Sequence, residues 1–235
     1  MMNAPELSLR QDAPDTDRRP LRARDGYVFL RSATMLAGAG VTPNAISGVG
    51  LAVGLLSGCA LAATSWSEPV TVQRGLWAAA VLLILLRGAC NILDGVVAVH
   101  YGQSSRVGLL YNEIPDRVSD AATLIGAGFA VGGAPMLGWV AALLAIFVAY
   151  VRVQVRMAGA PSDYCGPMAK PMRMTFIAAA SGYMALTPAA WHWHWGPRDD
   201  WSIMSAALLV VVIGCIVTAW RRIGRAARRL RETEP

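Results

Sequence analysis

Lysine is almost missing from this chain of 235 residues: of its 21 basic side chains all but Lys170 are arginine. Charge of any kind is scarce, at 15% against about 25% in an average soluble domain. With 55% hydrophobic residues and a mean hydropathy of +0.43, that scarcity excludes an ordinary soluble domain. Cysteine is sparse too, and Cys59, Cys90, Cys165 and Cys215 lie far apart with no CxxC pair, which excludes a zinc framework or a disulfide scaffold. The first thirty residues lack a short apolar core before a small-residue cleavage site. No signal peptide is therefore expected, and the first apolar span should be a retained anchor.

What is present is a series of apolar runs of about twenty residues, the length that crosses a hydrocarbon core as a helix. Six spans are expected, near 44–64, 75–101, 105–131, 135–157, 172–190 and 201–220. The fold class is thus all-α integral membrane. Before the spans, 1–19 is a polar Asp/Arg/Pro-rich tail, and 20–37 mixes Arg22, Arg24 and Arg31 with Tyr27, Phe29, Leu30 and Leu36, the pattern of an interfacial amphipathic helix. One membrane domain, 41–222, and a basic tail, 223–235, complete the organisation.

Arginine collects at both ends, near Arg106, and from Arg152 to Arg173, while the connections near Ser65 and Gly132 hold little. The positive-inside bias puts both termini, and the amphipathic helix, on the cytoplasmic side of an inner (cytoplasmic) membrane. The net charge of +6 sits beside apolar spans and suits anionic lipid, so the bilayer and not nucleic acid is the expected partner. Trp66, Trp191, Trp193, Trp195 and Trp201 then fall at the outer interface. His192 and His194 in that cluster read as boundary residues, across the membrane from the acids described next.

The stretch 91–120, NILDGVVAVHYGQSSRVGLLYNEIPDRVSD, sets Asp94, Glu113, Asp116 and Asp120 among membrane-like residues. One Asp at the centre of a membrane helix costs about 2.5–3.5 kcal/mol, so several together imply a polar cavity, a bound cation or both. Asn91 and Asp94 are one turn apart, and Asn112, Asp116 and Asp120 follow at intervals of four, so each set shares a helical face. The short turn at 102–105 predicts that the two helices pack as antiparallel neighbours. Their hard oxygen donors would suit Mg²⁺ or Mn²⁺. Gly95, Ala98 and Gly108 beside them either tighten helix packing or let a ligand approach the backbone. Structural pairs such as Asp116 with Arg117, or Asp120 with Arg87, and an ion pathway are the competing explanations of the acids.

The segment resembles the CDP-alcohol phosphotransferase family, whose signature is DxxDGxxAR, eight residues, then GxxxDxxxD. Asn91, Asp94, Gly95, Ala98, Val99, Gly108, Asn112 and Asp116 fill that frame without a gap, and VTPNAIS at 41–47 and GPMAKPMR at 166–173 extend the likeness. Asn91, Val99 and Asn112 replace two aspartates and the arginine of the signature, while Glu113 and Asp120 restore the carboxylate count, as in a variant subfamily. The resemblance implies transfer of a phosphatidyl group from CDP-diacylglycerol to a small alcohol, with release of CMP. It implies metal ligands at Asn91, Asp94, Asn112, Glu113 and Asp116, and a base at Asp116 or Asp120. A nucleotide pocket lined by Gly95, Ala98, Ser105, Arg106 and Gly108, and a homodimer, are implied as well. Arg152, Arg156, Lys170 and Arg173 would hold an acceptor such as glycerol 3-phosphate or an inositol phosphate, since arginine grips phosphate bidentately and lysine acts as a point charge. A catalytically impaired relative that binds lipid or nucleotide is the alternative, and a small ion transporter a more distant one.

Overall fold

The computed structural model describes residues 27–100, 106–161, 163–196 and 200–233, all helix and connection, with no strand among them. The helices are α1 (Tyr27–Gly38), α2 (Pro43–Ala63), α3 (Val70–His100), α4 (Arg106–Phe129), α5 (Pro135–Met157), α6 (Lys170–Leu186) and α7 (Ile203–Thr233). Four stretches are long and apolar enough to cross a membrane, Pro43–Trp66, Val70–Ala98, Pro135–Met157 and Ile203–Glu232. This is a membrane protein. Three helices lie outside that set: α1, of 12 residues, α4, which carries Glu113, Asp116, Arg117 and Asp120, and α6, which has 17 residues and carries Lys170 and Arg173. The expected tail at 1–19 and the start of the 20–37 helix lie outside the described residues.

Helix starts follow local chemistry. The Thr42 hydroxyl accepts the Ala45 N–H at 3.2 Å and Pro43 follows at the first helical position, where its missing N–H costs nothing. Pro135 and Pro171 sit in the first turns of α5 and α6 in the same way. α7 runs unbroken for 31 residues, so the last expected span and the basic tail as far as Thr233 form one helix. Its Ala226 and Leu230 pack on Val151 and Val155 in the last turns of α5 and on Ala160 just beyond it.

The expectation that α3 and α4 pack directly as neighbours is corrected by the structure: α2 is the principal partner of both. Glycine is the reason. A Cβ on Gly54 would collide with Ser119, one on Gly58 with the Ala122 backbone, and one on Gly126 with the Gly58 backbone. The absence of those three methyls lets α2 and α4 close to backbone contact, as small residues do between membrane helices. Ser57 and Thr123 hydroxyls then bond across the seam at 2.7 Å. Pinned on α2, α4 presents Asp116 and Asp120 inward, both buried.

The α5–α6 connection is tied down just as firmly. Gly166 has φ of +114° and its missing Cβ makes room for Thr218 of α7, whose hydroxyl accepts the Met168 N–H at 3.0 Å. Arg222 of α7 donates to the Cys165 and Val148 carbonyls, both at 3.1 Å. This anchorage fixes the start of α6 and so the heights of Lys170 and Arg173.

Candidate functional site

Three acids and three bases, all from different turns, meet inside the bundle. Arg87 of α3 donates through Nη2 to Asp116 Oδ1 and through Nε to Ser119 Oγ at 2.9 Å, so it staples α3 to α4. Lys170 Nζ donates to the other Asp116 oxygen, Oδ2, and to Asn91 Oδ1 at 3.3 Å, and it lies 3.9 Å from Asp120 Oδ1. Arg173 reaches Asp120 Oδ2 at 3.2 Å and the Met168 carbonyl at 3.1 Å. Asp94, buried at 3% exposure, accepts the Ser47 hydroxyl on Oδ2 at 2.7 Å. Its Oδ1 is buried with no hydrogen-bond partner, and Asp120 Oδ1 shares that condition.

A buried carboxylate oxygen left without a donor forfeits most of its hydration, a cost retained only where something else supplies the partner. At Asp94 the candidates are a cation or a ligand. Asn91 lies one turn away on α3, and its amide oxygen is a neutral hard donor beside the charged one. Among the described residues no three His, Cys, Asp or Glu side chains converge into an acidic metal cage. Any ion here therefore relies on Asp94 with amide oxygens and outside donors such as phosphate. That combination fits Mg²⁺ or Mn²⁺, which keep several ligand positions for water and substrate.

The cluster brings together Asn91, Asp94, Asp116, Asp120, Lys170 and Arg173. Asn112 is half-buried on α4, one turn before Asp116. Glu113 turns elsewhere: its carboxylate takes Arg152 at 2.7 Å and Arg117 at 3.2 Å, with Arg152 also stacked over the Tyr164 ring at 5.6 Å. Arg156 is exposed one turn beyond Arg152. Gly95 and Ala98 are buried near Asp94, and Gly108 is half-buried at the start of α4. Ser105 and the Arg106 side chain lie outside the described residues.

Of the pairs expected of a purely structural cluster, Asp116 keeps Arg117 as a longer contact and is engaged more closely by Arg87 and Lys170, whereas Asp120 pairs with Arg173 in place of Arg87. Arg117 sits 3.8 Å from Asp116 and belongs to Glu113. Sequence reasoning passed over Ser47 and gave Arg87 the wrong partner, Asp120 in place of Asp116. Arg87 had a signal of its own, as the only charge between Arg74 and Asp94 in an apolar run. Ser47 had only its place in VTPNAIS.

At the far end of α6 the aromatic cluster forms a separate layer. Trp193 stacks on Trp195 at 5.8 Å, Trp195 meets Trp201 edge-on at 5.1 Å, and His192 bonds Thr187 at 3.1 Å. With α6 spanning 17 residues, roughly 25 Å of helix separates this layer from Lys170. The histidines and the acids do not form one site.

Comparison with known proteins gives three kinds of likeness. Residues 40–220 match the family model described as CDP-alcohol phosphatidyltransferase. Inner membrane protein YnbA of Escherichia coli K12 is 27% identical over 173 residues, covering 74% of this chain and 81% of YnbA. Crystal structures of the phosphatidylinositol phosphate synthase PgsA1 of Mycobacterium tuberculosis share the fold. The form with CDP-DAG bound superposes with a TM-score of 0.66 at 17% identity, covering 86% of this chain and 94% of that one. The form in complex with manganese and citrate gives 0.66 at 16% identity, covering 84% and 88%.

Proposed function

The chain belongs to the CDP-alcohol phosphatidyltransferase family, and from that membership we propose that it is a phospholipid synthase acting on CDP-diacylglycerol. It transfers the phosphatidyl group to a small alcohol and releases CMP. The observation that carries the reading is the buried junction of α3, α4 and α6, where Lys170 joins the motif residues Asn91 and Asp116 and where Asp94, one turn from Asn91, keeps an unpartnered oxygen. PgsA1, which has the same fold, was crystallised with CDP-DAG and with manganese, in support of a cytidine-activated lipid and a divalent ion.

Asp94, with Asn91 and Asn112 as neutral donors, would hold Mg²⁺ or Mn²⁺; a bound divalent ion neutralises the pyrophosphate and stabilises the departing CMP. Gly95, Ala98 and Gly108 leave room for the nucleotide, joined by Ser105 and Arg106. The acceptor hydroxyl oxygen forms a bond to the lipid-linked phosphorus while the bond from that phosphorus to the bridging oxygen breaks, and CMP leaves with that oxygen. The hydroxyl proton passes to a carboxylate. Asp116 holds the motif position for this role, but Arg87 and Lys170 engage both its oxygens, whereas Asp120 keeps Oδ1 without a hydrogen bond. Arg152 and Arg156, with Lys170 and Arg173 nearer the acids, form a cationic path on which a phosphorylated acceptor such as glycerol 3-phosphate or an inositol phosphate can dock.

The wider setting belongs to the same reading: six membrane-crossing helices over 41–222, α4 and α6 among them, with both termini and the site on the cytoplasmic face of the inner membrane. An interfacial helix over 20–37 and a basic tail at 223–235 flank that domain, and two copies form a homodimer. α4 and α6 cross as members of a bundle, since their charges face one another and not lipid.

The test is purified protein supplied with CDP-diacylglycerol, Mg²⁺ or Mn²⁺ and a panel of polyols and phosphorylated polyols, followed by lipid mass spectrometry. The expected result is CMP plus one new phospholipid, with Asp94→Asn and Asp116→Asn each losing at least about 100-fold in rate. Retained turnover in both variants overturns the mechanism. Binding of the CDP-lipid with no CMP from any acceptor identifies a non-catalytic relative, and ion flux in liposomes a transporter.

A further inference from the structure

We propose that the Lys170 ammonium stands where a second divalent cation would sit, so that this chain works with a single divalent ion per site. The inference rests on the phosphatidyl-transfer reading above and specifies its metal requirement. Lys170 Nζ occupies an oxygen-lined position between α3 and α4, bounded by Asn91 Oδ1 at 3.3 Å, Asp116 Oδ2 in direct contact, and Asp120 Oδ1 at 3.9 Å. The remaining Asp116 oxygen belongs to Arg87. No carboxylate oxygen of Asp116 is left for an ion. Asp94 differs, with Oδ1 buried and unpartnered.

Charge gives an independent argument. The buried carboxylates of Asp94, Asp116 and Asp120 are matched by Arg87, Lys170 and Arg173, so the cluster is neutral as it stands. One divalent ion adds a double positive charge, which the two phosphates of a pyrophosphate diester balance. A second ion would leave that much charge again without a counterion in a desolvated site, where an unpaired charge is costly. Aspartate at positions 91 and 112 would have supplied the balance. Asparagine there, together with a lysine, removes the need.

Lys170 is also in an unfavourable place for any other reason. It is the first residue of α6, where the helix dipole repels a cation, and it is the only lysine in a chain that otherwise uses arginine. An ammonium is a compact point charge, closer to a metal ion in size and coordination than a planar guanidinium is.

The test counts ions directly. Full-length protein in detergent is titrated with Mn²⁺, and bound metal is measured by equilibrium dialysis and electron paramagnetic resonance. Wild type should bind about one Mn²⁺ with the spectrum of an isolated ion, lost in Asp94→Asn. Lys170→Gln should admit a second ion, seen as spin–spin broadening, while Lys170→Arg should stay at one. Two coupled ions in wild type, or no change of count in a folded Lys170→Gln protein, overturns the proposal; the wild-type count needs no variant. CMP release measured alongside separates the two readings. One ion without CMP release removes the proposed function and leaves the ion count standing, whereas CMP release with two coupled ions does the reverse.

Discussion

Replacing Arg87 with methionine removes the staple between α3 and α4 while keeping most of the side-chain volume. Arg87 is 7% exposed, donates to Asp116 and Ser119, and its side chain also lies against Gly50 of α2. Breaking a buried ion pair by deleting one partner costs about 3–5 kcal/mol, because the other charge is left uncompensated. Here Lys170 remains on Asp116 Oδ2, so neutralisation is only partly lost and the lower end, about 3 kcal/mol, is expected. That corresponds to a folded-to-unfolded ratio smaller by roughly 100-fold. Unfolding in mixed micelles, followed by tryptophan fluorescence, reports the cost. The double variant with Asp116→Asn leaves neither charge stranded and should recover about 1–3 kcal/mol relative to the sum of the single changes. A cost below about 0.5 kcal/mol for Arg87→Met, or strict additivity in the cycle, would refute the claim that this pair holds the two helices together.

Gly126→Ala should cost about 1–3 kcal/mol of stability, since its methyl would strike the Gly58 backbone, while Gly75→Ala, whose Cβ would meet nothing within 4 Å, should be neutral or stabilising; equal thermal shifts would contradict the close α2–α4 approach. Glu113→Gln should change stability by less than about 1 kcal/mol because the side chain is 47% exposed, yet lower KM for a phosphorylated acceptor about threefold by freeing Arg152. Loss of kcat and of Mn²⁺ binding would instead make Glu113 a metal ligand. Burial pushes the Asp163 carboxyl up, but the Cys165 N–H and the Arg225 and Arg229 cations outweigh it and hold the group below its ordinary value. Its contribution is therefore full above the unfolded value of about 3.9 and fades as pH falls through the lower folded value. The melting difference between wild type and Asp163→Asn should accordingly be present at neutral pH and close on strong acidification.

The helical membrane character and the polar site were legible in the sequence because both rest on short-range signals: run length for the apolar helices, and the three- and four-residue spacing of Asn91, Asp94, Asn112, Asp116 and Asp120 for the faces. Pairing was not legible. Nothing in the order of residues says that α2 is the main neighbour of both α3 and α4, since that outcome depends on Gly54, Gly58 and Gly126 meeting across the seam. Nor does spacing reveal that Lys170, 54 positions after Asp116, arrives at its oxygen, because the route runs through Thr218 and Arg222 holding the preceding loop. Glu113 illustrates the limit from the other side. Adjacent to Asn112, it compensates for the lost aspartate in composition, but a helix turns by about 100° per residue, and that rotation delivers its carboxylate to Arg152 and Arg117.

Asn91 and Asn112, two of the departures from the motif, therefore form one physical set with Lys170. With aspartate at 91, the ammonium 3.3 Å away would gain a third carboxylate partner, and the site would carry one more negative charge to be met by metal. With asparagine, Lys170 can serve Asp116 while its contact to position 91 stays neutral, and Arg87 completes the other side. The same arrangement explains why Asp94 alone keeps an unengaged, buried oxygen among the motif aspartates: its neighbour is Ser47, a neutral donor that orients one oxygen and leaves the other available. Charge is thus divided between a fixed half, built from Arg87, Lys170 and Arg173 on Asp116 and Asp120, and an exchangeable half at Asp94. The exchangeable half is the one that meets a metal-bound pyrophosphate, while Asp120 Oδ1, free of a hydrogen bond, stays open to a proton.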